Sequence, residues 1–555
     1  MMNPNQLREI GTKRLRRWKN NRQIQQKASE ISRIAHPVPE VHPVIFFNAS
    51  TRLVGLSLNS AFALLTAWAL RLQNVPVIHF VCQAGMSRCV LGTDRDDFSK
   101  PPPCRKCMAQ SHWLYSGAQV VPFRHLEDPR LNASLQGLIL DQLMGFEYQL
   151  PASDAQNHLA FPQALLPLGK LVLPSIRWVL RRHHLEDDEP THFLYRQYIL
   201  SASHIAQEFS ALLDRTSPQA VVLFNGQFFP EATARWLSIK RNIRTITHEV
   251  GLQPSSAFFT TGEATAYPLD VPGSFELSED QNARLDAYLS QRFQGQFSMA
   301  GVKFWPEMKK LDQAFLQKAT TFRQVVPIFT NVIFDTSQPH SNVVFTQMFA
   351  WLDMVLEIIR AHPETLFVLR AHPDEARPGK VSQESVSQWV AHNHIETLPN
   401  LIFVDSFEPL SSYELIHRSK FVMVYNSTIG LEASILGFPV LCAGRARYTQ
   451  LPTVFFPATQ QEFRQLADTF LAATDIPVPP EFRWNSRRFL YYQLFYSSLP
   501  FSDFIQPEPM QGFVSLRNFA LGKLTPEYSP SVRVLVNGIL NGKPFLLNDD
   551  TGGTL

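Results

Sequence analysis

Residues 421–443 read FVMVYNSTIGLEASILGFPVLCA, and how this stretch is read decides the fold. The apolar run 421–425 has the length of a buried strand, the pattern over 429–436 is helical, and 439–443 is a second buried run. Strand, helix, strand predicts two parallel strands joined by a crossover. The polar residues Asn426, Ser427 and Thr428 fall at the junction of the first strand with the helix. In a parallel sheet that junction lies on the carboxyl edge, where such sheets hold ligands. Backbone N–H groups at a helix start near Ser427, with the positive end of the helix dipole behind them, favour an anionic ligand.

The alternation extends outward from this stretch. Upstream, strands are expected at 325–329, 366–370 and 401–404, with helices at 343–361 and 410–418; the strand 366–370 runs into Ala371-His372-Pro373. A separate series begins earlier, with strands at 44–47 and 75–81 around a helix at 56–72. It resumes with a strand at 220–224 ending in Asn225-Gly226, a helix at 231–240 and a strand at 244–247 ending in His248-Glu249-Val250-Gly251. Such regular alternation predicts α/β architecture with two doubly wound sheets. The expected boundaries are a basic helical extension at 1–40, a first domain at 41–270, a connection at 271–320, a second domain at 321–480, and closing helices with a tail at 481–555.

Composition sets the outer limits. The 555 residues exceed what one core usually supports, and 45% hydrophobic with 18% charged residues describes a globular chain. No apolar run approaches the length of a membrane span, and the N-terminus lacks the pattern of a secretory signal. Five cysteines in so long a chain do not resemble a disulfide-stapled secreted protein, so a cytoplasmic setting is expected. A formal net charge of +3, without a nucleic-acid-binding signature, disfavours nucleic acid as a partner. Residues 1–35 set Arg8, Lys13, Arg14, Arg16, Arg17, Lys19 and Arg22 around a stripe of Leu7, Ile10, Leu15 and Trp18 at helical spacing. That pattern reads either as a solvated basic helix or as a peripheral contact with the inner face of an anionic membrane.

Neither half contains the G-x-G-x-x-G or G-x-x-x-x-G-K-[ST] phosphate loops, which removes the main support for a dehydrogenase or an ATPase. Two doubly wound domains without these loops suggest a nucleotide ligand in a cleft between them. Thr330-Asn331-Val332 with Asp335, Arg370-Ala371-His372-Pro373, Ser427-Thr428 with Glu432-Ala433, and Gly437-Phe438-Pro439-Val440 together resemble the capsular polysaccharide biosynthesis glycosyltransferases. More remotely, the His-Pro and Ser-Thr elements look like those of bacterial β-Kdo transferases and CDP-glycerol glycerophosphotransferases. The resemblance covers about residues 321–500. It implies a GT-B-like fold, with two Rossmann-like domains facing a central cleft, the first for the acceptor and the second for the nucleotide sugar.

In that family the matching histidine and Ser/Thr element hold the donor's phosphates, which implies donor-binding roles for His372, Ser427 and Thr428. These groups would offset the charge that builds on the leaving phosphate without a catalytic metal. Asn331 joins them through the first motif, Arg370 is a reserve phosphate ligand, and Glu432 is placed to accept from ribose hydroxyls. An acceptor hydroxyl must lose its proton, and His248, Glu249 or Asp335 is the expected base. Competing structural readings are a histidine before a turn-forming proline, an ordinary helix N-cap for Ser427 and Thr428, and a buried histidine at His248.

Cys82, Cys89, Cys104 and Cys107 crowd one segment, spaced C-x6-C and C-x2-C, with Pro101-Pro102-Pro103 before the second pair. Four thiolates suit a structural zinc, with an iron–sulfur cluster as the weaker alternative. The combined expectation is a glycosyltransferase of capsule or surface polysaccharide synthesis that takes a nucleotide-activated sugar and a carbohydrate acceptor. The alternatives are a CDP-glycerol-type glycerophosphotransferase and a non-catalytic zinc-stapled scaffold of a polysaccharide assembly complex.

Overall fold

The computed structural model describes residues 4–49, 54–150, 165–294, 309–377 and 381–548. Residues 295–308 of the expected connection and 549–555 of the tail lie outside them, as do the side chains of Leu7 and Ile10. The chain divides into two compact units. The first comprises Met1–Val179, Glu186–Tyr267 and Leu494–Leu555, and the second Leu180–Leu185 and Pro268–Gln493.

The sheet of the first unit is built from β1 (Val44–Asn48), β2 (Val77–Cys82), β3 (Gln119–Phe123), β4 (Ala220–Phe224), β5 (Arg244–Val250) and β6 (Ser256–Thr260). Its order is β6-β5-β4-β1-β2-β3, with the two-residue strand Leu499–Pro500 beyond β6. The strands β1 to β5 pair in parallel, whereas β6 and Leu499–Pro500 add antiparallel. Every residue of β1 is buried, as expected for a strand covered on both faces. The crossover helix Leu58–Leu72 begins where Ser57 Oγ accepts from the Ser60 N–H at 3.2 Å. Its Phe62 and Trp68 enter the core, which the end of the chain completes with Phe501, Phe504, Ile539 and Phe545.

The N-terminal basic stretch forms the helix Pro4–Ile34. Its second half is held by Ile24, Ala28 and Ile31, fully buried at intervals of four and three residues. Leu15 and Trp18, earlier on the helix, are about half exposed, at 52% and 49%.

The second unit carries β7 (Gln324–Phe329), β8 (Thr365–Arg370), β9 (Leu401–Val404), β10 (Val422–Val424) and β11 (Val440–Cys442). The order is β9-β8-β7-β10-β11, parallel throughout. The chain therefore winds outward from β7 in one direction and then from β10 in the other, leaving a switch point between those two strands. Pro327 sits in this central strand without an N–H to give; β10 pairs with β7 only at Ile328 and Phe329, beyond it. The fold class is thus the α/β one expected, with a doubly wound sheet in each unit, mainly parallel in the first and wholly parallel in the second.

No helix among the described residues is long and apolar enough to cross a membrane.

Candidate functional site

At the carboxyl edge of the second sheet, three predicted junctions come together. Asn331 follows β7 by two residues, and its Nδ2 donates to Asn426 Oδ1 at 2.7 Å. Asn426 Nδ2 donates in turn to Ser341 Oγ at 2.6 Å. Asn331 Oδ1 accepts from its neighbour, the Val332 N–H, at 2.8 Å. These amides bridge the ends of β7 and β10, the two strands of the switch point.

On the other side of β7, the strand β8 delivers His372. Its Nδ1 accepts from the Asp374 N–H at 3.1 Å and caps the short turn Pro373–Ala376. That bond requires the tautomer with its proton on Nε2. Burial holds the ring's pKa below the usual histidine value, against the opposing charges of Asp374 and Asp335. Burial therefore favours the neutral ring, with its proton on Nε2. Asp335 itself is exposed, and its Oδ2 accepts from the Ser337 N–H at 3.1 Å.

Thr428 occupies the N-cap position of the helix Ile429–Ile435 without a side-chain capping bond, so an N-cap role does not account for its hydroxyl. Ser427 and Thr428 are both half-buried. The Ser427 carbonyl is fixed from behind, accepting from Tyr448 Oη at 2.8 Å and from the Gly430 N–H at 3.1 Å. A Cβ on Gly430 would lie 2.3 Å from that Tyr448 Oη, so the glycine keeps the tyrosine's path open.

Two expected donor ligands belong to the interior instead. Glu432 is 3% exposed; its Oε1 accepts from Arg292 Nη2 at 2.5 Å, and its Oε2 accepts from the Tyr413 hydroxyl. A carboxylate already neutralised and enclosed in this way has no face for ribose hydroxyls. The reason is a neighbouring element: one turn on from Thr428, Glu432 packs against the helix Glu279–Phe293, whose Arg292 takes up its carboxylate. Arg370 is likewise buried. Its Nη1 donates to the Leu410 carbonyl, and burial holds its pKa down to about 10. The guanidinium serves to join strand β8 to the segment before the helix Ser412–His417.

In the first unit the strand β5 separates the two adjacent base candidates. His248 is 1% exposed and stacks on Phe259 at 5.1 Å between ring centroids; burial lowers its pKa to about 3. Glu249, one residue on, is half-buried at the carboxyl edge. Its Oε2 accepts from Asn225 Nδ2 at 3.0 Å and its Oε1 from Asn59 Nδ2 at 3.3 Å. Neither amide was recognisable as a site residue from pattern alone. For Asn225 the signal was Asn-Gly just past a strand, and both residues have positive φ, 60° and 82°.

The four clustered cysteines are all free thiols and line one small cavity, while Cys442 lies apart in β11. Burial pushes Cys82 and Cys89 up to about 12 and Cys107 up to about 11, with proximity of the other thiols adding to the shift. Among the described residues, no group of three or more His, Cys, Asp or Glu is set to hold a single metal ion.

Residues 308–452 match the family model described as Capsule polysaccharide biosynthesis protein. No curated protein matches the chain in sequence. Among solved structures, it is similar to the Thermosulfurimonas dismutans KpsC β-Kdo 2,4 transferase at 11% identity and a TM-score of 0.33, covering 54% of this chain and 84% of that one. It is also similar to the Methanocaldococcus jannaschii UDP-GlcNAc 2-epimerase in complex with UDP-GlcNAc and UDP, at 11% identity and a TM-score of 0.23, over 81% and 99% of the two chains. Structural likeness this low transfers no activity. The family match spans β7 to β11, and so covers Asn331, His372 and Asn426 to Thr428 together. Residues 308–452 are thus the part of this chain that is similar to the capsule polysaccharide biosynthesis protein family.

Proposed function

We propose that this chain is a glycosyltransferase that moves a sugar from a nucleotide-activated donor to a carbohydrate acceptor in capsule or surface polysaccharide assembly. The observation that carries the reading is the tautomer of His372. Its Nδ1 accepts from the Asp374 N–H, so a neutral ring carries its proton on Nε2, and His372 follows β8 at the same carboxyl edge where Ser427 and Thr428 follow β10. A neutral N–H donor and two hydroxyls suit a phosphate whose negative charge grows as the glycosidic bond breaks. In this scheme the acceptor oxygen bonds to the anomeric carbon, the bonding pair leaves with the nucleotide phosphate, and the acceptor's proton passes to a carboxylate. Glu249 is assigned that proton, because it is oriented by two amides while His248 is enclosed. Asp335 is the competing carboxylate. The scheme calls for no divalent ion on the leaving phosphate. The basic helix Pro4–Ile34, with Trp18 and Leu15 outward, would bring the enzyme to an anionic membrane surface.

The test is the shift in melting temperature with CMP, CDP, UDP, GDP and ADP, in the wild type and in His372→Ala. A nucleotide at about 100 times its dissociation constant adds about 2.7 kcal/mol of stability. Selective stabilisation that is lost in the mutant supports the donor site and names the nucleotide. A shift that persists unchanged in His372→Ala removes His372 from it.

A further inference from the structure

A ligand-sized space lies within the first unit, beside the carboxyl end of its outer strand β3. It is a cavity of about 540 Å³, within the range of small-molecule sites. One wall is the segment from His125 to Asn132, which follows β3, and the other is a side of the helix Glu189–Thr216. On that helix Gln197, Leu200, Ser203, His204 and Gln207 recur at intervals of three or four, which sets them on one face. A helix face that meets a core is apolar, whereas this one carries two amides, a hydroxyl and an imidazole.

The walls are held in place. His204 Nε2 donates to the Arg124 carbonyl, and the His125 N–H donates to the Ala84 carbonyl at 3.2 Å. The two imidazoles stand edge to face at 6.1 Å between centroids. Asp128 Oδ1 accepts from the Leu131 N–H at 2.9 Å and fixes the turn of the first wall. Polar groups are nevertheless left over. Ser203 is 1% exposed, and its hydroxyl has no partner among the described residues. The side-chain amides of Gln197 and Gln207, both half-buried, make no hydrogen bond among those residues either. A buried polar group without a partner costs free energy, so these point to a ligand rich in donors and acceptors.

Charge narrows its class. Glu127 and Asp128 outnumber Arg130 around the cavity, which disfavours a phosphate or a nucleotide. Among the described residues no group of three or more His, Cys, Asp or Glu is set to hold a metal ion. Amides, carboxylates and hydroxyls together suit sugar hydroxyls, which both donate and accept, and Leu126, 66% exposed, offers an apolar surface to a ring's C–H face. We propose that this cavity holds a segment of the polysaccharide chain remote from the sugar being extended. In the register of the sheet, Phe123 of β3 stands level with Glu249 of β5, four strands away. At about 4.8 Å per strand the separation is about 19 Å, too far for the cavity to present the reacting hydroxyl to Glu249. The polymer therefore lies across the carboxyl edge of the first sheet, gripped at one side and extended at the other. The identity of the ligand rests on the proposed transferase function.

The test is calorimetric titration of the full chain with oligosaccharides released by mild acid from the source organism's surface polysaccharide. The wild type is expected to bind, and Gln197→Ala and Gln207→Ala are each expected to weaken binding about threefold to tenfold, the worth of one hydrogen bond. Circular dichroism checks the fold, and should either variant not fold, His125→Ala, at an exposed position, takes its place. No binding by the wild type overturns the assignment, as does equal affinity in the wild type and the variants. Displacement of the oligosaccharide by inorganic phosphate also overturns it, marking an anion site instead. The nucleotide melting shift is read in parallel. A nucleotide shift without oligosaccharide binding removes this site alone. Oligosaccharide binding that the variants weaken, without any nucleotide shift, removes the transferase and leaves the site.

Discussion

Asn331 and Asn426 meet at 2.7 Å across the switch point of the second sheet, side-chain amide to side-chain amide. One donates and the other accepts, and Ser341 then receives the second amide's proton at 2.6 Å. The ends of β7 and β10 are thereby set at a fixed separation just where a ligand would enter. Asn426→Ala removes both bonds. It is expected to lower stability by about 1 to 2 kcal/mol in urea denaturation and to weaken nucleotide stabilisation more than its effect on folding explains. An unchanged nucleotide shift in a folded variant would mean that the bridge does not shape the site.

The ion pair of Arg292 with Glu432 is a matter of folding. The two side chains are 7% and 4% exposed, and the pair ties the helix Glu279–Phe293 to the helix Ile429–Ile435. Arg292→Ala strands a buried carboxylate and is expected to cost about 3 to 5 kcal/mol, seen as a lower urea midpoint. Replacing both partners with apolar residues of similar size is expected to restore much of the loss. A single variant as stable as the wild type contradicts the arrangement.

Glu375 makes stability depend on pH. Its side chain is buried beside the Val386 N–H, and burial, with the nearby Asp405 charge, raises its pKa to about 8 from the ordinary glutamate value of 4.5. Between those two values the unfolded chain has lost a proton that the folded chain keeps. The neutral carboxyl's stabilising contribution is therefore full below pH 4.5 and is lost as pH rises to about 8, at no more than about 1.4 kcal/mol per pH unit. Melting temperatures of the wild type and Glu375→Gln measured from pH 5 to 9 are expected to diverge, with the variant flatter. Parallel profiles would remove Glu375 as the cause.

The two base candidates separate by kinetics. Glu249→Gln keeps the shape and the contacts to Asn59 and Asn225 but cannot take a proton. It is expected to lower kcat by about a hundredfold or more, the usual worth of a general base, while nucleotide binding persists. Asp335→Asn is expected to leave kcat within a few-fold. The opposite pattern would move the base to Asp335.

Most of the strands were legible because a strand buried on both faces is a continuous apolar run. The expected 220–224 and 401–404 match β4 and β9, and 44–47 differs from β1 only by Asn48. The strand β3 was missed since Gln119, Val120 and Pro122 face solvent at the sheet's edge and Pro122 reads as a breaker. The helix Glu189–Thr216, twenty-eight residues long, escaped notice because His, Tyr, Ser and Gln interrupt its apolar stripe. At the site, residue type marked His372, Ser427 and Thr428 as polar groups at strand ends, and the family resemblance added Asn331. It could not tell that Glu432 turns inward, because that depends on Arg292, 140 residues earlier. Nor could it rank His248 against Glu249, since the alternation of faces along β5 decides which of the two meets solvent.

The first unit is finished by the last part of the chain. Phe501 packs on Phe62 at 4.9 Å between centroids, and Ile539 and Phe545 close the same core. During synthesis, everything between Tyr267 and Leu494 must leave the ribosome before those residues arrive. At about 5 to 20 residues per second, that is a wait on the order of ten to forty seconds. Through that interval the nascent first unit shows an open apolar seam along the helix Leu58–Leu72, while the second unit can already fold. Folding order is therefore the reverse of synthesis order: the second unit can mature before the first, and a chaperone would find its grip on the unit begun earlier.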